Sequence, residues 1–113
     1  MSRNMTIPGL RAAYAAGELT PGALMEEIRQ RAAEHTAHNI WIHLCSAREQ
    51  ATWLDALADR DPATHPLWGV PFAIKDNIDL AGIPTTAGCP AFAYTPPQSA
   101  RVVQQLLAAG AIP

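Results

Sequence analysis

Between Asp61 and Pro97 the chain carries seven prolines (Pro62, Pro66, Pro71, Pro84, Pro90, Pro96 and Pro97) and only three glycines, Gly69, Gly82 and Gly88. Each proline removes a backbone donor and obstructs the preceding helical turn. The residue before each proline is pushed toward extended backbone. A long helix is therefore excluded across about a third of the 113 residues. So few glycines do not make a flexible tether either. The segment reads as stiff, shaped loop, with one short strand predicted from Val70 to Lys75.

Regular structure then has to come from the flanks. Leu10, Ala13 and Tyr14 share a helical face in a short helix over Leu10–Ala16, and Gly17 offers the left-handed stop. A second helix begins at Thr20-Pro21, an N-cap followed by proline at the first helical position, with Leu24, Ile28 and Ala32 on one face. Ile40-Trp41-Ile42-His43-Leu44 predicts a strand from its β-branched and aromatic content. Ser46-Ala47-Arg48-Glu49 matches a capping box and opens a third helix, striped by Ala51, Leu54 and Ala58 and ended by Asp61-Pro62. A last helix is expected from Ser99 as N-cap, with Gly110 closing it and Ala111-Ile112 beginning a strand. Strands alternating with helices predict an α/β fold with some parallel pairing.

Composition removes several function classes. The formal net charge is −2 with 8 Lys plus Arg, and no basic block appears, so nucleic acid is not an expected partner. No apolar run reaches the ~18 residues of a membrane span, and the first residues lack the apolar core of a secretory signal. Cys45 and Cys89 form no CxxC pair and read as reduced, buried small residues. These features together predict a cytoplasmic protein.

Among the histidines, His35 and His38 sit near a helix end without a third ligand, His43 is expected packed and hydrogen-bonded in its strand, and His65 in a surface loop. No metal and no organic cofactor is expected. Trp41, Trp53 and Trp68 read as packing residues.

The stretch that carries chemistry is Gly69-Val70-Pro71-Phe72-Ala73-Ile74-Lys75-Asp76-Asn77. Lys75 ends an apolar run. Two readings stay open. If the amine is buried without a partner, desolvation disfavours its charged form and makes it a general base able to activate a hydroxyl. Otherwise the lysine snorkels to water or pairs with a carboxylate. Side chains alternate along a strand, so Asp76 would face away from Lys75 if the strand continues through it.

The same stretch resembles the G-[VI]-P-x-x-[IV]-K-D motif of the amidase signature family. Gly82-Ile83-Pro84-Thr85-Thr86-Ala87-Gly88 is similar to that family's G-x-x-T-T-x-G segment, and Leu107-Ala108-Ala109-Gly110-Ala111-Ile112 to its helix leading into A-G-A-I. The likeness spans about residues 10 to 113. Trp41-Ile42-His43-Leu44 and Cys89 to Pro96 look most like the allophanate hydrolases within that family.

The resemblance implies a layered α/β/α fold with mixed sheet, incomplete in this chain. Residues 1–38 would be N-terminal helices, and residues 39–113 the start of a sheet core holding the catalytic-lysine strand. It implies a Ser-cisSer-Lys triad in which Lys75 is the base. It also implies a small-molecule amide substrate, allophanate (urea-1-carboxylate), hydrolysed to ammonia and carbon dioxide, and homodimer contacts through the N-terminal helices. The family's two serines lie in a glycine-serine-rich stretch that has no match here, since Ser2, Ser46 and Ser99 stand in no such setting. The chain is therefore expected to be an N-terminal fragment, inactive and aggregation-prone alone. The alternatives are a general amidase, the amidase-type component of an aminoacyl-tRNA amidotransferase, or a non-catalytic remnant or interaction module.

Overall fold

Four helices and a long ordered loop make up the chain in a computed structural model that describes residues 2–113. Helix α1 spans Ile7–Ala15, α2 Pro21–Glu34, α3 Ala47–Ala56 and α4 Arg101–Ala108; single 3-10 turns lie at Thr36–His38, Leu57–Asp59 and Pro90–Phe92. Local signals set most of the helix starts. Thr20 caps α2, its side chain accepting from the Ala23 amide, and Pro21 follows it. Ser46 and Glu49 form both halves of the capping box of α3. Helix α1 starts earlier than its periodicity predicts, because the Thr6 side chain accepts from the Gly9 amide and Pro8 lies in the first turn.

Leu10, Leu19, Leu24, Met25, Leu57 and Ile112 form the buried core, with Tyr14, Trp53 and Trp68 packed against it. Tyr14 and Trp68 meet edge to face, their ring centroids 5.6 Å apart. The tryptophan reading holds for Trp53 and Trp68, whereas Trp41 is exposed. Gln50 is the buried polar residue of α3. Its Nε2 donates to the Pro113 carbonyl (3.1 Å) and its Oε1 accepts from Arg29, so it ties α2, α3 and residue 113 together.

Strand pairing is far sparser than the sequence predicts. Among the described residues there are two isolated bridges, Pro71 with Ile112 in parallel and Thr85 with Tyr94 antiparallel. Ile40–Leu44 forms no strand, and Ile40 and Ile42 are 63% and 64% exposed. Val70–Lys75 pairs only at its start. The physical reason is that β propensity reports fit to a pleated, half-buried surface, and no neighbouring segment offers these residues a ladder. The Cα radius of gyration is 14.6 Å, against roughly 13 Å for a compact domain of this length. Apolar surface is left facing outward, including Ile40, Trp41, Ile42, Phe92 and Val102.

Two further expectations are corrected. Ser99 does not cap α4: the N-cap is Ala100 without a side-chain bond, and the Ser99 hydroxyl accepts from the Ala81 amide (2.9 Å) instead. Cys89 is exposed, because it opens an outward 3-10 turn, while Cys45 is half-buried. His35 and His38 stack on each other at 5.8 Å. Among the described residues no helix is long and apolar enough to cross a membrane.

Candidate active site

The lysine segment is positioned from both ends. Upstream, the Arg11 guanidinium donates to three carbonyls of the proline-rich turn, those of Pro62 (3.0 Å), His65 (3.2 Å) and Pro66 (3.0 Å). The Tyr14 hydroxyl donates to the Gly69 carbonyl (2.7 Å). Burial pushes that phenol up to about 12, the nearby Arg3 charge opposing weakly. Gly69 itself has φ +72, and a Cβ there would lie 2.8 Å from Pro21 and 2.9 Å from the Tyr14 ring, so a side chain is excluded by strain and space alike.

From that turn, residues 67–72 run beside residues 109–112. The amides of Leu67, Gly69 and Phe72 donate to the carbonyls of Ala109, Gly110 and Ile112, and the Ile112 amide donates back to Val70, all within 2.9–3.0 Å. Pro71, which has no donor, sits at the bridge between bonds made by its neighbours. This short parallel register points the chain toward Lys75.

Downstream, Asp76 gathers the next loop. Its carboxylate accepts from the Thr86 hydroxyl and from the amides of Thr86 and Gly88 (both 3.3 Å), while its carbonyl accepts from the Ala87 amide (2.8 Å). The Thr86 hydroxyl, aided by those amides, holds the carboxyl below the ordinary range. Ala87 takes a left-handed φ of 51° inside this turn. Asp79 does parallel work, accepting from Thr85 (2.8 Å) and Tyr94 (2.6 Å).

Lys75, the single lysine of the chain, lies between these anchors. It lines an apolar cleft of about 580 Å³ with Ile42, Phe72, Ile78, Ile83 and Pro113 among the walls. Of the two settings open to it, the exposed one is present: Lys75 lines the cleft and is exposed. The segments around it cover one side of the cleft and leave the amine open to water. None of Ser2, Ser46 and Ser99 lines the cleft. The strand does not continue past Lys75, so the alternation argument for Asp76 does not apply: the backbone turns there, the Ile78 amide donating to the Lys75 carbonyl (2.9 Å). His43 is exposed rather than packed in a strand, and its Nε2 lies 3.0 Å from Glu49. With Cys45 these two make a group whose ligand atoms lie within 4.8 Å of one another, a feature no reading of His35 and His38 would find.

The sequence pattern of the Amidase family matches residues 23–113. This chain belongs to the amidase family. Its fold accordingly falls with the α/β folds of its structural neighbours, although its own described residues are mainly helix and loop. The urea amidolyase of Saccharomyces cerevisiae is 49% identical over 75 residues, covering 66% of this chain and 4% of that protein. A glutamyl-tRNA(Gln) amidotransferase component of Chloroflexus aurantiacus is 38% identical over 114 residues, covering 96% of this chain and 23% of that one. Among solved structures, an allophanate hydrolase of Kluyveromyces lactis superposes with TM-score 0.78 and 30% identity, covering 95% of this chain and 18% of that chain. This amidase chain thus spans less than a quarter of the length of these relatives.

Proposed function

We propose that this chain is the lysine-bearing part of an amide hydrolase whose substrate is allophanate, and that Lys75 is its general base. Residues 1–38 supply the N-terminal helices, and residues 39–113 supply the first elements of a mixed-sheet core. The observation that carries the reading is the placement of Lys75. It follows a segment fixed in parallel register beside residues 109–112, precedes an anchored Asp76, and lines the apolar cleft. The likeness to urea amidolyase and allophanate hydrolase supports the choice of substrate.

In this reading the Lys75 amine accepts a proton through a bridging serine. The nucleophilic serine, deprotonated by that relay, attacks the amide carbon, and ammonia leaves as the acyl-enzyme forms. Water then releases the acyl group. Both serines, and the walls that would desolvate the amine, come from outside these 113 residues. The isolated chain therefore has a base and no nucleophile, and does not turn over allophanate. A dimer contact through the N-terminal helices would draw on Ile7 and on Met5 just before α1, 43% and 46% exposed.

The test is a chimera in which residues 23–113 replace the matching segment of the Kluyveromyces lactis allophanate hydrolase. Ammonia release from allophanate is expected, with loss of at least about a thousandfold in the Lys75→Ala form, in line with removal of a triad member. A folded Lys75→Ala chimera that keeps its activity would remove Lys75 from the chemistry. A chimera active on glutamine and not on allophanate would favour the amidotransferase reading, which the longer 38% match to the Chloroflexus aurantiacus protein supports.

A further inference from the structure

Outside the lysine segment, a second group of reactive side chains lies on the same cleft. His43 and Cys45 line it, and Glu49 stands beside them in the first turn of α3. Their ligand atoms, one imidazole nitrogen, one thiol sulfur and one carboxylate oxygen, are all within 4.8 Å of one another. His43 Nε2 and Glu49 Oε2 are 3.0 Å apart. We propose that His43, Cys45 and Glu49 form a zinc site with one position left open toward the cleft.

The donor set selects the ion. Thiolate, imidazole and carboxylate together suit zinc, whereas magnesium and calcium take oxygen ligands. A tetrahedral zinc with bonds of about 2.0–2.3 Å separates its ligand atoms by roughly 3.3–3.8 Å. The His43 and Glu49 atoms stand 3.0 Å apart and every pair in the group lies within 4.8 Å, close to that range. Charge also balances: the dication meets one thiolate and one carboxylate. On binding, the Cys45 S–H bond breaks, the S–Zn bond forms and the proton leaves to water.

The support of the ligands is already built. Glu49 is fixed by the capping box, its Oε2 accepting from the Ser46 amide (2.9 Å) while its own amide donates to the Ser46 hydroxyl (3.1 Å). The bland alternative is a half-exposed His–Glu pair, worth little by itself. What separates the two readings is the place of the Cys45 sulfur, within 4.8 Å of both the imidazole nitrogen and the carboxylate oxygen. The site does not depend on Lys75 being catalytic.

The experiment compares alkylation of the two cysteines in the 113-residue chain, with and without zinc, by mass spectrometry. Zinc is expected to slow modification of Cys45 at least about tenfold and to leave the exposed Cys89 unchanged as an internal control. Cobalt(II) in a Cys89→Ala chain should give a thiolate charge-transfer band at one equivalent. His43→Ala should abolish both effects. Glu49→Gln preserves the capping box and should weaken binding more than about tenfold, since even outer-shell partners matter by 10–100-fold. Removing His35 and His38 should change nothing. Equal Cys45 alkylation with and without zinc, or protection that survives His43→Ala or disappears with His35 and His38, overturns the proposal. The zinc-dependent protection of Cys45 is read on the unsubstituted chain, so it decides the question even where a variant fails to fold.

Discussion

Replacing Gly110 by alanine should loosen the register that leads to Lys75, and Gly17→Ala provides the matched control. Both glycines have left-handed backbone, φ 94° and 71°. Both substitutions therefore incur strain of about 1–2 kcal/mol, offset by about 0.4–1 kcal/mol from a less flexible unfolded chain. They differ in space. A Cβ on Gly17 meets nothing within 4 Å, whereas one on Gly110 would lie 2.8 Å from Trp68 Cα and 3.1 Å from Trp68 N. Those are backbone atoms held by the Gly69-to-Gly110 hydrogen bond at 2.9 Å, so no rotamer change relieves the clash. Overpacking of this kind costs about 1–3 kcal/mol. Gly110→Ala should thus be less stable than Gly17→Ala by about 1–3 kcal/mol in urea unfolding. Faster hydrogen exchange at the Gly69 and Ile112 amides should accompany the loss. If the two variants unfold within about 0.5 kcal/mol of each other, the close approach of residues 68 and 110 is not a constraint and the argument for a rigid register fails.

Two other perturbations probe the anchors on either side of the lysine. Tyr14 is an acid whose folded pKa is raised from 10.0 to about 12, so its stabilising contribution is complete below pH 10 and is lost as pH climbs from 10 toward 12. Tyr14→Phe keeps the edge-to-face pair with Trp68, should cost about 1 kcal/mol at neutral pH for the lost bond to Gly69, and should remove this alkaline fall; an identical alkaline profile in both proteins would contradict it. Asp76 shifts the other way: its folded pKa is lowered, chiefly by the Thr86 hydroxyl, so its tie is present above the unfolded value and is lost as pH falls through the folded one. Asp76→Asn should speed hydrogen exchange at the Thr86 and Gly88 amides at neutral pH, and unchanged protection there would show that the carboxylate does not hold the turn.

How much of this was legible in the sequence follows from the range of the interactions. Helix starts were readable because a cap is closed within four residues: Thr20 with Ala23, and Ser46 with Glu49, each carry their partner nearby. Gly110 was readable as a helix stop for the same reason, although its approach to Trp68, 42 residues earlier, was not. Ser99 shows the limit of the local rule. Its side chain had a closer claim from Ala81, 18 residues away, and the helix began without it. Strands failed most widely. Ile40–Leu44 has the composition of a strand, but pairing is a property of two segments, and a single sequence window sees one.

The site divides along the same line. The motif around Lys75 singles that residue out as a candidate, yet its environment depends on surfaces that meet across the cleft. An apolar run ending in lysine is compatible with a buried base and with a side chain lifted into water, and within these residues the second arrangement is the one present. What the local chain does build is direction: Arg11 and Tyr14 fix the approach, residues 109–112 fix the register, and Asp76 with Thr86 fixes the exit. A general base needs that positioning as well as desolvation. In the proposed reading of Lys75 these two requirements have separable sources: positioning comes from hydrogen bonds within the 113 residues, and desolvation would need apolar surface placed over Ile42, Phe72 and Ile83. Substitutions at the anchors and substitutions on the cleft wall should therefore act on different terms. The first should scatter the lysine without changing its exposure, and the second should change its exposure while leaving the backbone register intact.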